Sequence, residues 1–187
     1  MSKSNIKTIL PHLFFAYGAN MNQDQIKSRC QKPEVLTIAR LADHAMAFFG
    51  CSKIWDGGQE TVVSRVGEDL WGVVYKLSFS DGELLDAWQD VRLNGTGPYF
   101  HYPTEVVAPD GSVYQVLLYK KDILDEPQKP SEEYLAHIVK GAVAQGLPEA
   151  YINKIKKIPT KKATFPAPRK TNFDRSILAN LSCDCGI

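Results

Sequence analysis

The stretch FFAYGANMN, residues Phe14 to Asn22, sets the frame for the rest of the chain. An apolar run stops at Gly18, crosses the small Ala19, reaches Asn20 and turns polar. Leu13 to Ala16 reads as a strand, and Asn22 to Ser28 as a short helix with Asn20 or Asn22 as its N-cap. A strand that breaks in this way has two readings. It is an ordinary strand-to-helix turn with a capping asparagine, or its backbone amides approach an anion, which glycine permits by lacking a Cβ.

The composition bounds what such a turn can serve. The chain has 187 residues, 44% of them apolar and 23% charged, the profile of one generous globular domain. With 22 basic and 21 acidic residues the net charge is +1, so no long-range field points to nucleic acid or a membrane surface. No run of 18 apolar residues suggests a membrane span, and Lys3 and Lys7 precede no signal-peptide core. A cytoplasmic protein is expected. The four cysteines, Cys30, Cys51, Cys183 and Cys185, lack metal-ligand spacing and are expected to be reduced thiols.

Outward from the turn, Val35 to Leu41 and Met46 to Cys51 are strand candidates, with Trp55 to Gly58 a turn. Glu60 to Val66 and Asp69 to Leu77 read as a pair of strands, the second nearly continuously apolar at Leu70–Tyr75 and so covered on both faces. Ser80 and Glu83 fit a capping box opening a helix that ends near Val91. Asn94 to Pro98 is a loop, Tyr99 to Val107 a strand, and Asp110-Gly111 a hairpin turn into Val113 to Tyr119. After a linker-like Pro127 to Pro130, Ser131 opens a helix with an apolar stripe of Tyr134, Ile138, Ala142 and Val143, and Glu149 to Ile158 forms another. From Pro159 the chain reads as a surface-wrapped or mobile tail with a short helix at Phe173 to Leu181; the basic stretch Lys154 to Lys170 reads as solvated. Strands and helices do not alternate regularly, so the class is α+β on a mixed or antiparallel sheet. The expected organisation is a domain over residues 1–158 and a tail over 159–187.

Four stretches, taken together, resemble the gamma-glutamylcyclotransferase family. They are Tyr17-Gly18-Ala19-Asn20, similar to the family's Tyr-Gly-Ser-Asn turn; Ala39 to Asp43 followed by Trp55 to Gly58; Leu70 to Tyr75; and Pro130 to Tyr134 running through Gly141-Ala142 to Gly146–Tyr151. The resemblance covers roughly residues 13 to 158 in motif order and spacing. It implies a small barrel-like mixed β-sheet with surrounding helices. The implied reaction cleaves a small γ-glutamyl amide: the substrate's α-amine attacks its own γ-carbonyl, giving 5-oxoproline and a free amine. On this resemblance Tyr17, Gly18, Ala19 and Asn20 form the anion cradle, and Tyr99, Tyr119 and Tyr134 line the pocket. It implies a small-molecule substrate as partner and neither metal nor cofactor; a homodimer is compatible with it.

The chain departs from the family where the catalytic glutamate is placed, in a stretch like Leu-Asp-x-x-Glu-Gly after the Trp-Gly strand. Here the stretch is Leu85-Asp86-Ala87-Trp88-Gln89-Asp90, which puts Gln89 at that position. A carboxamide does not shuttle protons at useful pH. Three readings follow. Asp90, one residue on and about 100° around an ideal helix, takes over as base; or His101, Glu105 or Asp86 serves; or the chemistry is lost or changed. The last would leave a small-carboxylate binding module, an amide hydrolase or a biosynthetic enzyme on the same pocket. In the segment after the helix, Arg92 is a candidate for bidentate carboxylate binding.

Overall fold

Two long strands dominate a computed structural model that describes residues 12–92 and 94–169. Strand β1 (His12–Ala16) leads through a 3-10 turn (Ala19–Met21) into helix α1 (Gln23–Arg29). Strands β2 (Glu34–Ser52) and β3 (Gly57–Leu77) form an extended hairpin. Helix α2 (Phe79–Trp88), the β4 (Tyr99–Val107) and β5 (Val113–Lys121) hairpin, and helices α3 (Glu132–Ala144) and α4 (Glu149–Lys156) follow. The strands close a barrel in the order β1-β3-β2-β4-β5, parallel only where β1 meets β5 at Phe14 and Leu117. The fold is α+β on a mixed barrel, as the resemblance implies.

The expected pairs of short strands are single long ones. Glu60–Val66 and Asp69–Leu77 do not pair with each other; both lie in β3 and pair with β2. The register changes between Ala42, opposite Asp69, and His44, opposite Ser64, so residues 65–68 bulge out. Asp43 (φ 57°) and Gly67 (φ 80°) take up the bend, and the Asp43 carboxylate accepts the Gly67 N–H at 2.7 Å. A glycine that reads as a strand break from local pattern is thus a bulge within a continuing ladder. Gly57 and Gly58, expected in a turn, begin β3. A Cβ on Gly57 would lie 2.7 Å from the Ser131 nitrogen, because residues 128–131 run hard against this strand. That segment is bonded in rather than linker-like, with Gln128 N–H donating to Phe48 C=O and Gly58 N–H to Lys129 C=O.

Helix starts follow their caps. Asn22 caps α1 by accepting from the Asp24 and Gln25 amides, and Ser131 caps α3. Helix α2 is capped by Ser78, not Ser80, because Ser78 accepts the Asp81 N–H. Asp81 then turns inward, fully buried, and accepts the Gln31 and Lys32 amides at 2.6 and 3.3 Å. Helix α4 stops at Lys156, short of Ile158. Val143, expected on the apolar stripe of α3, is 54% exposed, while Tyr134, Leu135, Ile138, Gly141 and Ala142 face the core. Of the three tryptophans, Trp55 is buried and Trp71 and Trp88 are half-buried.

Residues 159–169 wrap the surface. Lys161 exchanges backbone bonds with Pro130 and Glu132, the Lys161 ammonium and Thr164 reach Asp56, and Arg169 N–H donates to Ile54 C=O. The expected helix at Phe173 to Leu181 and the Cys183–Cys185 pair lie outside the described residues. Among the described residues no helix is long and apolar enough to cross a membrane.

Candidate functional site

Six elements converge at one end of the barrel. The end of β1 brings Phe14 to Tyr17, the following turn Gly18 and Asn20, β3 Glu60, the C-terminus of α2 Gln89, β4 Tyr99 and β5 Tyr119. They enclose about 20 Å³, room for roughly one water molecule. What fills the rest is the side chain of Glu60. Its Oε1 accepts the Ala19 N–H at 3.2 Å, and its Oε2 accepts the hydroxyl of Tyr134 from α3. A Cβ built on Gly18 would lie 2.5 Å from the Glu60 Cγ and 2.6 Å from its Oε1. Gly18 is therefore glycine for close approach: only a bare Cα lets a carboxylate sit against this backbone.

The turn is held from two sides. Asn20, buried, accepts at Oδ1 from Gln25 Nε2 at 3.1 Å and Arg29 Nη1 at 2.8 Å. On the other side α3 touches the turn directly. A Cβ on Gly141 would come within 2.6 Å of the Asn22 nitrogen, and Gln145 Nε2 donates to Met21 C=O at 3.1 Å. Tyr134 is fixed by stacking on Trp55, with ring centroids 4.9 Å apart, and by the edge of Phe48.

The net effect of the surroundings is to raise the Glu60 pKa. Burial raises its pKa above the ordinary glutamate value, while the Ala19 amide and the charges of Arg29 and Lys121 pull it back. Burial, and then the Glu60 charge, push the Tyr17 and Tyr99 hydroxyls well above their usual range, so both stay protonated. Each is a donor: Tyr17 to the Tyr119 carbonyl, and Tyr99 to the Glu60 carbonyl at 2.8 Å.

The site residues expected from sequence divide cleanly. Tyr17, Gly18, Asn20, Gln89, Tyr99 and Tyr119 line the cavity, and Ala19 and Tyr134 bind the carboxylate inside it. Asp90 and Arg92 stand outside. Asp90 adopts a left-handed backbone (φ 52°) as α2 ends and is exposed, and Arg92 grips it through two bonds of 2.9 and 3.2 Å. The turn that ends the helix points this carboxylate to solvent rather than inward. Asp86 faces a second, largely apolar cavity of about 190 Å³ on the far side of Phe14 and Tyr119. There its Oδ1 meets His101 Nε2 and the Tyr119 hydroxyl, each at 2.7 Å, and it raises the His101 pKa. Glu105 lies apart from both, toward the β4–β5 hairpin.

Glu60 is the functional candidate that motif reasoning missed. A signal was present: along a strand the residues two apart share a face, and Glu60 stands two before the fully buried Val62. An acid in an inward register needs a reason. Among the described residues no group of three or more His, Cys, Asp or Glu is placed to hold a metal ion.

A family model described as the AIG2-like family matches residues 69–155. Over 150 residues the chain is 31% identical to the gamma-glutamylcyclotransferase of Homo sapiens, covering 78% of each chain, and matches the Bos taurus protein of that name to the same extent. A solved structure of a gamma-glutamyl cyclotransferase superposes with a TM-score of 0.78 at 28% identity, covering 90% of this chain and 98% of the other. At that identity and coverage, the chain belongs to the gamma-glutamylcyclotransferase family.

Proposed function

We propose that the protein is a γ-glutamyl cyclotransferase acting on a small γ-glutamyl amide, forming 5-oxoproline and releasing a free amine. The observation that carries this reading is the Gly18–Ala19 cradle, where a backbone N–H and a tyrosine hydroxyl already hold a carboxylate inside the pocket. A γ-glutamyl group offers a carboxylate of the same kind at its α-carbon. With that carboxylate on the Ala19 amide, the α-nitrogen and γ-carbonyl are drawn into the space between Glu60 and Gln89. Holding both reacting ends of one molecule in place converts a floppy cyclisation into a directed one. The Gln89 carboxamide, which carries two N–H donors, faces this space and suits the oxygen that becomes an oxyanion as the ring closes. Tyr99 and Tyr119 wall the pocket and exclude water, so the internal amine outcompetes hydrolysis.

The near-balanced charge supports a small molecule rather than nucleic acid as partner, and the buried free thiol of Cys30 supports a reducing compartment such as the cytoplasm. The activity test is product formation from a panel of γ-glutamyl amines and γ-glutamyl dipeptides, read by mass spectrometry. 5-Oxoproline in stoichiometric yield with the released amine is expected. Free glutamate in its place would mean that water is the nucleophile, and an unchanged panel would leave a carboxylate-binding module.

A further inference from the structure

The pocket contains one carboxylate, and it is not at the position where the family's motif places one. Gln89 lines the cavity but cannot carry a proton, and Asp90 is turned out to solvent and neutralised by Arg92. Across the cavity from the end of α2, the first third of β3 sends in Glu60. Its carboxylate occupies the cradle that the Gly18 backbone opens, bonded to the Ala19 amide and the Tyr134 hydroxyl. With Glu60 seated there, about 20 Å³ remain, too little for any glutamyl group and enough for about one water. An occupant must therefore displace Glu60 from Ala19.

We infer that Glu60 is the acid–base group of this site, a carboxylate that caps the anion cradle while the pocket is empty and moves onto the substrate's α-nitrogen when the substrate's own carboxylate takes the Ala19 amide. The inference rests on the cyclotransferase reading above. The exchange conserves charge: one carboxylate replaces another on the backbone donor, and the displaced one finds the α-ammonium as its new partner. Glu60 accepts a proton from that ammonium, and the freed amine attacks the γ-carbon to form the ring C–N bond and an oxyanion. Protonated Glu60 then gives its proton to the leaving nitrogen as the amide C–N bond breaks, the electron pair going to that nitrogen. The ring nitrogen passes its second proton by the same carboxylate to the released amine. Both protons lost by the α-nitrogen end on the leaving amine, and neither water nor a cofactor is consumed. Burial poises the group for this role, because a carboxyl with a raised pKa is a better acceptor and still gives the proton back. The charged and titratable groups that face it are Arg29 from α1, Lys121 from β5, Tyr134 from α3, Tyr99 from β4 and Tyr17 from the end of β1.

The test compares wild type, Glu60→Gln, Glu60→Asp and the double variant Glu60→Gln/Gln89→Glu. Each is assayed for 5-oxoproline from the best γ-glutamyl dipeptide of the panel, and for calorimetric binding of glutaric acid, which lacks the α-amine and cannot react. Glu60→Gln is isosteric, and Glu60→Asp keeps the charge should the amide disturb folding. The expected loss in kcat for Glu60→Gln is about 10²–10⁴-fold, with glutaric acid bound at least as tightly as by wild type because the internal competitor is weakened. The acid limb of the wild-type pH profile, where activity falls as Glu60 becomes protonated, should vanish in whatever activity remains. The double variant should regain turnover, since it restores a carboxylate on the opposite wall of the same cavity. Turnover in Glu60→Gln close to wild type would overturn the assignment while leaving the cyclotransferase reading intact. Loss of glutaric acid binding together with turnover would overturn it too, as a structural role. A wild type that makes no 5-oxoproline from any substrate removes the reaction itself, and with it the role given to Glu60.

Discussion

Two helical glycines should respond to alanine with opposite signs. Gly82 lies in α2, and a Cβ there meets nothing within 4 Å; Gly141 lies in α3, and a Cβ there falls 2.6 Å from the Asn22 nitrogen and 2.9 Å from the Met21 carbonyl carbon. On backbone entropy alone, alanine in a helix interior is worth about 0.5–1 kcal/mol over glycine. Gly82→Ala should show that gain unopposed. In Gly141→Ala the contact is with main chain, which cannot rotate aside as a side-chain tip would. Overpacking of this kind costs about 1–3 kcal/mol, so the cost exceeds the gain and the net destabilisation is roughly 1–2 kcal/mol. For a chain of this size each kcal/mol moves Tm by about 2–4 °C, so Tm should fall by roughly 2–8 °C in Gly141→Ala and rise by about 1–4 °C in Gly82→Ala. The same clash pushes the Met21–Asn22 end of the turn that carries the Ala19 amide. A misplacement on the order of 1 Å at a reacting centre can cost about 10² in rate, so Gly141→Ala should lose turnover well below its Tm. Thermal unfolding followed by circular dichroism, with turnover at 20 degrees below each Tm, makes the comparison. A Gly141→Ala protein as stable and active as wild type would refute the claim that α3 sets the position of the cradle.

Asp90→Asn and Arg92→Ala should each leave the kcat for 5-oxoproline formation unchanged, because the pair is solvent-exposed and bonded to itself rather than to the pocket; a collapse of kcat in Asp90→Asn would return the catalytic base to the end of α2. The wrap of residues 159–169 should come undone at low pH. Thr164 and then Lys161 lower the Asp56 pKa from 3.8 to about 2, so the stability it lends is complete above the ordinary carboxylate range and is lost as pH falls through about 2. Hydrogen exchange at the Thr164 amide, followed from neutral pH downward, should keep its protection through pH 4 and lose it near pH 2; early loss, or no effect of Asp56→Asn at neutral pH, would sink this account.

The parts of the fold that were legible in the sequence are those with local causes. Asn22 and Ser131 cap helices because their side chains reach the next turn's amides, a relation contained within four residues. The β4 and β5 hairpin is written in Asp110-Gly111 and its flanking strands. What the local pattern could not show was pairing across distance. Gly67 looks like the end of a strand from its neighbours alone. Only the partner strand, and the Asp43 carboxylate that catches its N–H, make it a bulge in a single ladder. The position of Asp90 outside the cavity has a related cause. The expectation assumed an ideal helix continuing past Gln89, whereas the left-handed turn at Asp90 ends the helix and sends its side chain outward.

The site carries the same lesson into chemistry. Acid–base catalysis asks for a carboxylate within reach of two nitrogens, and it is indifferent to which strand or helix delivers it. In a closed barrel, residues far apart in sequence face one another across a few ångströms: Gln89 ends α2 and Glu60 opens β3, yet both line one cavity. A motif search confined to the helix finds an amide and infers lost or displaced chemistry nearby in sequence. The barrel offers a different solution, a carboxylate on the facing wall, with Gly18 left bare so that it fits. Gly18→Ala separates the two ideas. If the cradle serves only an incoming substrate, the added methyl should weaken binding and leave the empty pocket's stability untouched. If Glu60 occupies the cradle at rest, the methyl meets its Cγ at 2.5 Å; the side chain must turn aside, and the empty protein should already be destabilised by the bonds the carboxylate gives up, about 1–3 kcal/mol. Part of that cost should be relieved in Glu60→Ala, where the clashing atoms are gone. An undiminished cost in the double variant would mean that Glu60 does not rest in the cradle.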